Sequence, residues 1–345
     1  CIFGAEVTDA IDAVRGDLSL TEGEDFFVVP DNDLAPTLKW AQNLTTVTDD
    51  QETSNPGDAT DNTIGETALY IFTSGTTGLP KAALTSNRRY IMGGGLSGQA
   101  GLKLKPSDRI YLCLPLYHAT GLMIGAGAAF ATGASMFIRR RFSASKFLDD
   151  VRTQHCTGFV YIGELCRYLT NTAAKPDDHK NPIRAMIGNG MRPDVWINFK
   201  TRFGVDTVCE FYGASEGNVS FANLFNKDCT VGMTSSVVNL VSYDVDEDEI
   251  VRDADGFCIP VTDGEPGLML GKISEEAKFD GYTDKEASEK KIVRNAFEHG
   301  DAWFNSGDLM KTVDVGYTLN YLHYQFVDRV GDTFRWKSEN VSTNE

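Results

Sequence analysis

The sequence lacks a long hydrophobic run and an excess of positive charge. Its most apolar long stretch, residues 121–138, is interrupted by glycines, whereas a membrane-spanning helix needs about 20 consecutive apolar residues. The chain carries 32 Lys and Arg residues against 49 Asp and Glu residues, a formal net charge of −17 at pH 7. Because an acidic chain repels phosphate backbones, the composition argues against sequence-independent nucleic-acid binding.

The cysteines also lack any paired arrangement. There are seven in 345 residues, and none forms a Cys-x-x-Cys motif. This usage is typical of free thiols in a reducing intracellular compartment, and it argues against a disulfide framework or a zinc site.

Short apolar runs recur along the middle of the chain. They are rich in β-branched and aromatic residues and predict strands at 68–72, 110–114, 134–138, 158–162, 185–187 and 208–212. Helices are predicted between some of them. One is capped by Ser143 and places Phe147, Leu148 and Val151 on one face. Another runs from Pro193 to Phe203 with Ile197 on its apolar face. This alternation predicts an α/β fold with a mostly parallel, helix-flanked sheet.

Changes in composition suggest three regions before residue 328. Residues 1–66 are interpreted as a partial N-terminal subdomain with a polar linker, and residues 67–230 as the α/β subdomain. From about 231 to 327 glycine and proline turns dominate, which indicates a smaller β-rich subdomain. The chain begins at Cys1 without an initiator Met and ends just after a charged segment, so we expect a piece of a longer protein.

The most informative segment runs from Tyr70 to Lys81 and reads YIFTSGTTGLPK. An apolar strand leads directly into hydroxyls and glycines and then a lysine. Glycines allow backbone N–H groups to approach a ligand, and hydroxyls and a cation suit the oxygens of a polyphosphate. The segment is not a Walker A loop, because Pro80 and Ala82 stand where that motif needs Gly and Ser or Thr.

This segment resembles the signature loop of the adenylate-forming superfamily of acyl-CoA synthetases and adenylation domains. Four further segments are similar to motifs of that superfamily and follow in its order: Tyr117–Gly121, Gly188–Pro193, Glu210–Gly217 and Ser306–Leu309. Residues 328–343, with FRWK and ENVST, resemble the hinge of the very-long-chain acyl-CoA synthetases, also called fatty acid transport proteins. Residues 328–345 are therefore interpreted as a hinge to a C-terminal small domain.

The resemblance implies a role for each matching residue. It implies that Lys81, Thr76, His118 and Glu216 are catalytic, that Glu216 also holds Mg²⁺, and that His118 and Gly121 line the acyl site. It implies an ATP or AMP site made of Thr73, Ser74, Gly75, Thr76, Thr77, Gly78, Lys81, Gly188, Asn189, Gly190, Tyr212, Gly213, Ala214, Ser215, Glu216, Asp308 and Arg329. Within it, Tyr212 would stack on adenine, while Asp308 and Arg329 would bind the ribose.

The implied activity is the ATP-dependent conversion of long or very long fatty acids into CoA thioesters, coupled to their uptake in the transport branch. The substrates would be fatty acid, ATP and coenzyme A, with Mg²⁺ as the metal. The family's small domain supplies a lysine and much of the CoA site, so this chain alone is expected to be poorly active. The resemblance also implies an intracellular protein attached through other segments to the endoplasmic reticulum, peroxisome or plasma membrane.

Two other functions stay open. An amino-acid-activating domain would need an acidic counter-charge for the substrate ammonium, and residues 116–120 contain no carboxylate. A non-catalytic lipid-handling module would carry a vestigial ATP site. The stretch 316–326 is longer than expected between Asp308 and Arg329, which leaves the relative placing of these two residues to be determined.

Overall fold

The structure, a computed structural model, describes residues 1–31, 37–49, 51–54, 61–73, 81–213, 218–279, 281–330, 333–336 and 339–342. For Thr73, Lys81 and the residues beyond 330, the description covers the backbone alone. The chain divides into two compact units, Cys1–Asn62 and Thr63–Glu345.

The first unit is a small parallel sheet with two short helices. Its strands are β1 (Ile2–Gly4), β2 (Phe27–Val29) and β3 (Gln42–Asn43), and its helices are α1 (Thr8–Val14) and α2 (Leu44–Thr48). Its core contains Phe3, Phe26, Val28 and Trp40, and the rings of Phe3 and Trp40 stack with their centroids 5.4 Å apart. The three aromatic rings are the largest side chains of this core.

The second unit begins with an α/β region. Its elements are β4 (Thr67–Thr73), β5 (Lys81–Ser86), α3 (Asn87–Gly95), β6 (Arg109–Leu112), α4 (Gly127–Thr132), β7 (Ser135–Ile138), α5 (Phe147–Thr153), β8 (Gly158–Ile162), α6 (Gly163–Thr170), β9 (Ala185–Asn189), α7 (Pro193–Phe203), β10 (Thr207–Gly213) and β11 (Ser220–Ala222). Two π-helical segments, Leu96–Gly101 and Thr120–Ala126, precede β6 and α4 respectively.

Six of these strands form one sheet in the order β11-β10-β9-β8-β6-β7, and every neighbouring pair is parallel except β10 with β11. Helices cover both faces. Phe147 of α5 packs on Tyr111 and Phe159 on one face, while the segment Leu96–Gly101 approaches Ile187 and Cys209 on the other. The prediction of a mostly parallel, helix-flanked sheet is therefore confirmed.

Three expectations about individual elements need correction. The predicted strand at 68–72 forms, but as β4 it pairs antiparallel with β5 in a separate hairpin. Ser143 does not cap α5, whose first residue follows Lys146; its hydroxyl lies 3.2 Å from that of Ser145 instead. Ile197 of α7 is 50% exposed, because only Val195, Trp196, Phe199 and Phe203 lie on the buried face of this helix.

The rest of the unit is β-rich, as predicted. Its elements are β12 (Val238–Val241), β13 (Tyr243–Asp244), β14 (Glu249–Ile250), β15 (Gly267–Lys272), α8 (Lys285–Glu289), β16 (Ile292–Arg294), β17 (Ala302–Val313), β18 (His323–Arg329), β19 (Thr333–Trp336) and β20 (Glu339–Ser342). An antiparallel sheet runs β12-β15-β17-β16, with β18 also paired to β17. Within the described ranges, no helix has the length and apolar character that crossing a bilayer would require.

Candidate functional site

The carboxyl ends of the parallel strands bring three of the predicted segments to one edge of the sheet. The chain leaving β6 reaches Tyr117–Gly121, β9 ends at Gly188 and Asn189, and β10 ends at Tyr212 and Gly213. In open α/β sheets this edge is where ligands bind. The predicted residues Gly188, Asn189, Tyr212 and Gly213, and the segment Tyr117–Gly121, thus lie along the edge that the fold class favours.

The predicted acyl segment touches the predicted adenine loop. The hydroxyl of Thr120 lies 3.4 Å from the side-chain oxygen of Asn189. Gly121 is buried in the π-helical segment Thr120–Ala126, while His118 is exposed, with its ring against that of Tyr117. Gly190 follows Asn189 with φ of 76°, the left-handed conformation in which glycine is favoured.

A second group of predicted residues joins the two sheets. The Tyr212 hydroxyl, on β10, donates a hydrogen bond to Oδ2 of Asp308, on β17. Nε of Arg329, on β18, donates to Oδ1 of the same carboxylate at 3.1 Å. Asp308 and Arg329 are directly opposite each other in the β17–β18 register. The extra length at 316–326 is accommodated in that hairpin, and the two residues remain paired.

The environment keeps Tyr212 in its neutral form. Burial, followed by the negative charge of Asp308, raises the pKa of the Tyr212 phenol well above its usual value. The hydroxyl therefore stays protonated and donates. Asp308 is 2% exposed, whereas the Arg329 side chain is 58% exposed.

The Asp308 carboxylate keeps unused acceptor capacity. A carboxylate offers about four lone-pair positions, of which Tyr212 and Arg329 occupy two. Two adjacent hydroxyls, such as those of a ribose, match the remaining acceptors. Charge-assisted bonds of this kind are among the stronger hydrogen bonds in proteins.

The phosphate-binding part of the prediction lies mostly outside the described residues. Residues 74–80 and 214–217, which include Ser74, Gly75, Thr76, Thr77, Gly78, Ala214, Ser215 and Glu216, are not described. The backbones of Thr73 and Lys81 are paired at the end of the β4–β5 hairpin, so the two ends of the signature loop are adjacent. Among the residues that are described, no group of three or more His, Cys, Asp or Glu side chains could hold a metal ion.

We expect the Tyr212→Phe variant to lower the free energy of unfolding by about 1–3 kcal/mol, because it removes a donor to a buried carboxylate. Urea unfolding measures the difference. Tyr317→Phe is the matched control, since Tyr317 is 79% exposed on the β17–β18 hairpin and its change should cost under about 0.5 kcal/mol. Equal losses in the two variants would contradict a stabilising role for the Tyr212–Asp308 bond.

The fold is that of an adenylate-forming domain, and the comparisons agree. The family described as AMP-binding enzyme matches residues 6–272, and the chain belongs to it. An ATP-bound structure of MatB from Rhodopseudomonas palustris has the same fold. Its TM-score is 0.72 at 19% identity, over 99% of this chain and 61% of that one.

Among curated proteins the chain is similar to fatty-acid enzymes and transporters. It is 49% identical to the medium/long-chain-fatty-acid–CoA ligase FadD6 of Mycobacterium tuberculosis, over 85% of this chain and 48% of the relative. It is 38% identical to human long-chain fatty acid transport protein 1, over 100% of this chain and 53% of the relative. The chain thus spans about half the length of these relatives. Both names agree with the branch that the hinge segment indicated.

Proposed function

We propose that the protein carrying this chain activates medium, long or very long fatty acids to CoA thioesters. The fatty acid carboxylate attacks the α-phosphorus of ATP, which forms an acyl-adenylate and releases pyrophosphate. The thiolate of coenzyme A then attacks the acyl carbon and releases AMP. The two steps conserve the acyl group and need no oxidant or reductant.

The observation that carries this proposal is the buried Asp308 carboxylate. It is held between Tyr212 and Arg329, and it keeps acceptor capacity for a ribose. In this proposal Tyr212 and the loop Gly188–Gly190 receive the adenine, and Asp308 fixes the sugar. His118 and Gly121 face the acyl group from the end of β6. Holding both reactants in the reactive geometry lowers the activation barrier, by roughly 7–11 kcal/mol in well-aligned systems.

The remaining predicted residues complete the proposal at the phosphates. Thr73, Ser74, Gly75, Thr76, Thr77, Gly78 and Lys81 would bind the phosphate oxygens, as would Gly213, Ala214 and Ser215 beside Tyr212. A Mg²⁺ ion held by Glu216 would neutralise phosphate charge when bound. Neutralisation matters here because the chain itself carries a formal charge of −17.

Pyrophosphate release tests the proposal. The full-length protein should release pyrophosphate only when ATP and a fatty acid are both present, and adding coenzyme A should yield acyl-CoA and AMP. Fatty acids of different chain length, compared at equal concentrations of monomeric fatty acid, give the substrate preference. No pyrophosphate with any chain length would refute fatty acid activation.

Two further measurements test the two alternatives. Pyrophosphate exchange into ATP that depends on an amino acid would indicate an amino-acid-activating domain. A non-catalytic lipid-handling module with a vestigial site would show no rise in melting temperature with saturating Mg·ATP, because a ligand that binds the native state must raise it.

The relatives named as transport proteins lead us to include coupling to fatty acid uptake in the proposal, and uptake of labelled fatty acid by expressing cells tests it.

A further inference from the structure

A buried glutamate lies beneath the loop that follows β9. Glu210 is in β10, two residues before Tyr212, and is 3% exposed. In the sheet register it is opposite Gly188 of β9, which is in turn opposite Tyr161 of β8. The three residues form one row across three neighbouring strands, just below the edge where the predicted nucleotide residues lie.

The carboxylate of Glu210 connects the other two strands of this row. Its Oε2 accepts a hydrogen bond from the Tyr161 hydroxyl, and its Oε1 accepts the backbone N–H of Met191 at 2.9 Å. The Tyr161 ring reaches Glu210 by crossing Gly188, where a Cβ atom would lie 2.7 Å from the ring. A side chain at position 188 would therefore block the contact.

This arrangement is costly for folding. Among the described residues Glu210 takes part in no ion pair, so its carboxyl group is buried without a cation. Burial raises the pKa of Glu210 to about 8, although the hydrogen bonds from Tyr161 and from the backbone of Met191 and Gly190 act in the opposite direction. An apolar residue of similar size would be easier to bury, which points to a role other than stabilising the core.

We propose that Glu210 is a positioning residue for the nucleotide. By accepting hydrogen bonds from the Met191 N–H and the Tyr161 hydroxyl, Glu210 holds residues 189–192 in the conformation that contacts the adenine. The loop is held from below by Glu210, and its backbone turns at Gly190 with φ of 76°. The inference rests on the proposed function only for the identity of adenine as the group that the loop contacts.

Two substitutions of Glu210 separate the loss of its acceptor oxygens from a change of side chain that keeps an acceptor. Glu210→Met removes both acceptors at nearly constant size, and we expect AMP to bind about tenfold more weakly, the loss that accompanies one hydrogen bond to a buried group. Glu210→Gln keeps an acceptor for the Met191 N–H and should restore affinity to within about threefold of the wild type. Isothermal titration with AMP measures both. Wild-type affinity in the Met variant, or equal weakening in the Gln variant, would overturn the proposal.

Hydrogen exchange of the loop amides needs no nucleotide. The Met191 amide should exchange at least about tenfold faster in Glu210→Met than in the wild type, because its acceptor is gone. Tyr161→Phe removes only the hydrogen bond from the Tyr161 hydroxyl to Glu210, so the exchange rate of the Met191 amide should increase less. If Glu210→Met does not fold, the exchange rate in Tyr161→Phe is the deciding measurement. Unchanged exchange at residues 190–191 in both folded variants would contradict the proposal.

Asp178→Asn is the control for a purely structural effect. Asp178 is also a buried carboxylate, but it accepts a hydrogen bond from Arg202 at 2.7 Å, away from the loop. We expect this variant to lose stability while AMP affinity and exchange at residues 190–191 stay unchanged. Both readouts are independent of fatty acid activation, so a protein that releases no pyrophosphate would refute the proposed function without refuting this role of Glu210.

The pH dependence provides a further readout. The titratable groups that interact electrostatically with Glu210 are Tyr161 on β8, Cys166 on α6 and its neighbour in β10, Cys209, and burial raises the pKa of each, that of Cys209 to about 12. They stay neutral near pH 8, where Glu210 titrates. In the unfolded chain a glutamate has a pKa of about 4.3.

Between about pH 4.3 and 8 the unfolded state therefore releases a proton that folded Glu210 retains, so stability falls as pH rises through this window. Above pH 8 both states are ionised and the contribution has been lost. Glu210→Gln should remove this part of the slope, so the urea midpoint should fall less between pH 5.5 and 8 than in the wild type. Parallel profiles would contradict the placement of an ionisable Glu210 beneath the loop.

Discussion

The Asp308→Asn variant should bind ATP about a hundredfold more weakly than the wild type. Hydrogen bonds to a charged acceptor contribute about 1.5–3 kcal/mol each, and two ribose hydroxyls on one carboxylate reach about 3 kcal/mol or more. Each 1.4 kcal/mol is about tenfold in affinity. The amide also places an NH₂ group against either the Tyr212 hydroxyl or the Arg329 guanidinium, both of which donate to Asp308 in the wild type.

The nucleotide itself supplies the discriminating measurement. If Asp308 binds the ribose, 2′,3′-dideoxy-ATP should bind the wild type as weakly as ATP binds the variant. The variant should no longer distinguish the two nucleotides, because the coupled partner is gone. Asp314→Asn makes the same change of charge at an exposed position of the β17–β18 hairpin and should leave affinity within about twofold of the wild type. A variant at Asp308 that still discriminates between the two nucleotides would contradict the assignment.

The parallel sheet could be predicted from the sequence because local pattern determines it. The run at 158–162 matches β8 residue for residue, and the helix predicted from Pro193 to Phe203 matches α7. Continuous apolar runs separated by helical segments specify buried parallel strands whatever the distant contacts are. The strand β4 was predicted, but its antiparallel pairing with β5 was not, because an apolar strand pattern does not determine which strand will pair with it.

Long-range pairing in the site could not be predicted in the same way. Tyr212 and Asp308 are 96 positions apart, and their hydrogen bond depends on how two sheets meet. Glu210 lies in the segment Glu210–Gly217 but has no role implied by the resemblance, and an isolated Glu in a strand is usually a solvent-facing residue. Only the register that aligns it with Gly188 and Tyr161 reveals the row. The motifs identify Tyr212 and Asp308 in the sequence, whereas the contacts of these residues depend on the fold.

The Gly163→Ala variant should show the largest loss of stability at this edge of the sheet. Gly163 is the first residue of α6, directly after β8, and a Cβ atom there would lie 1.7 Å from the carbonyl oxygen of Gly190. Both are backbone positions, so no side chain can rotate to relieve the clash. Overpacking typically costs 1–3 kcal/mol and more where backbone must move, so we expect a loss of about 3 kcal/mol or more in urea unfolding.

Gly95→Ala is the matched control for this change. Gly95 ends α3 with helical dihedral angles, φ −61° and ψ −49°, and a Cβ there would meet no described atom within 4 Å. Alanine should therefore stabilise the protein by up to about 1 kcal/mol, as expected for removing glycine from a helix. If Gly163→Ala is as harmless as Gly95→Ala, helix α6 and the loop after β9 do not pack as described. If it is destabilising, the folded fraction should also lose AMP affinity, because the displaced Gly190 carries with it the Met191 N–H that Glu210 holds.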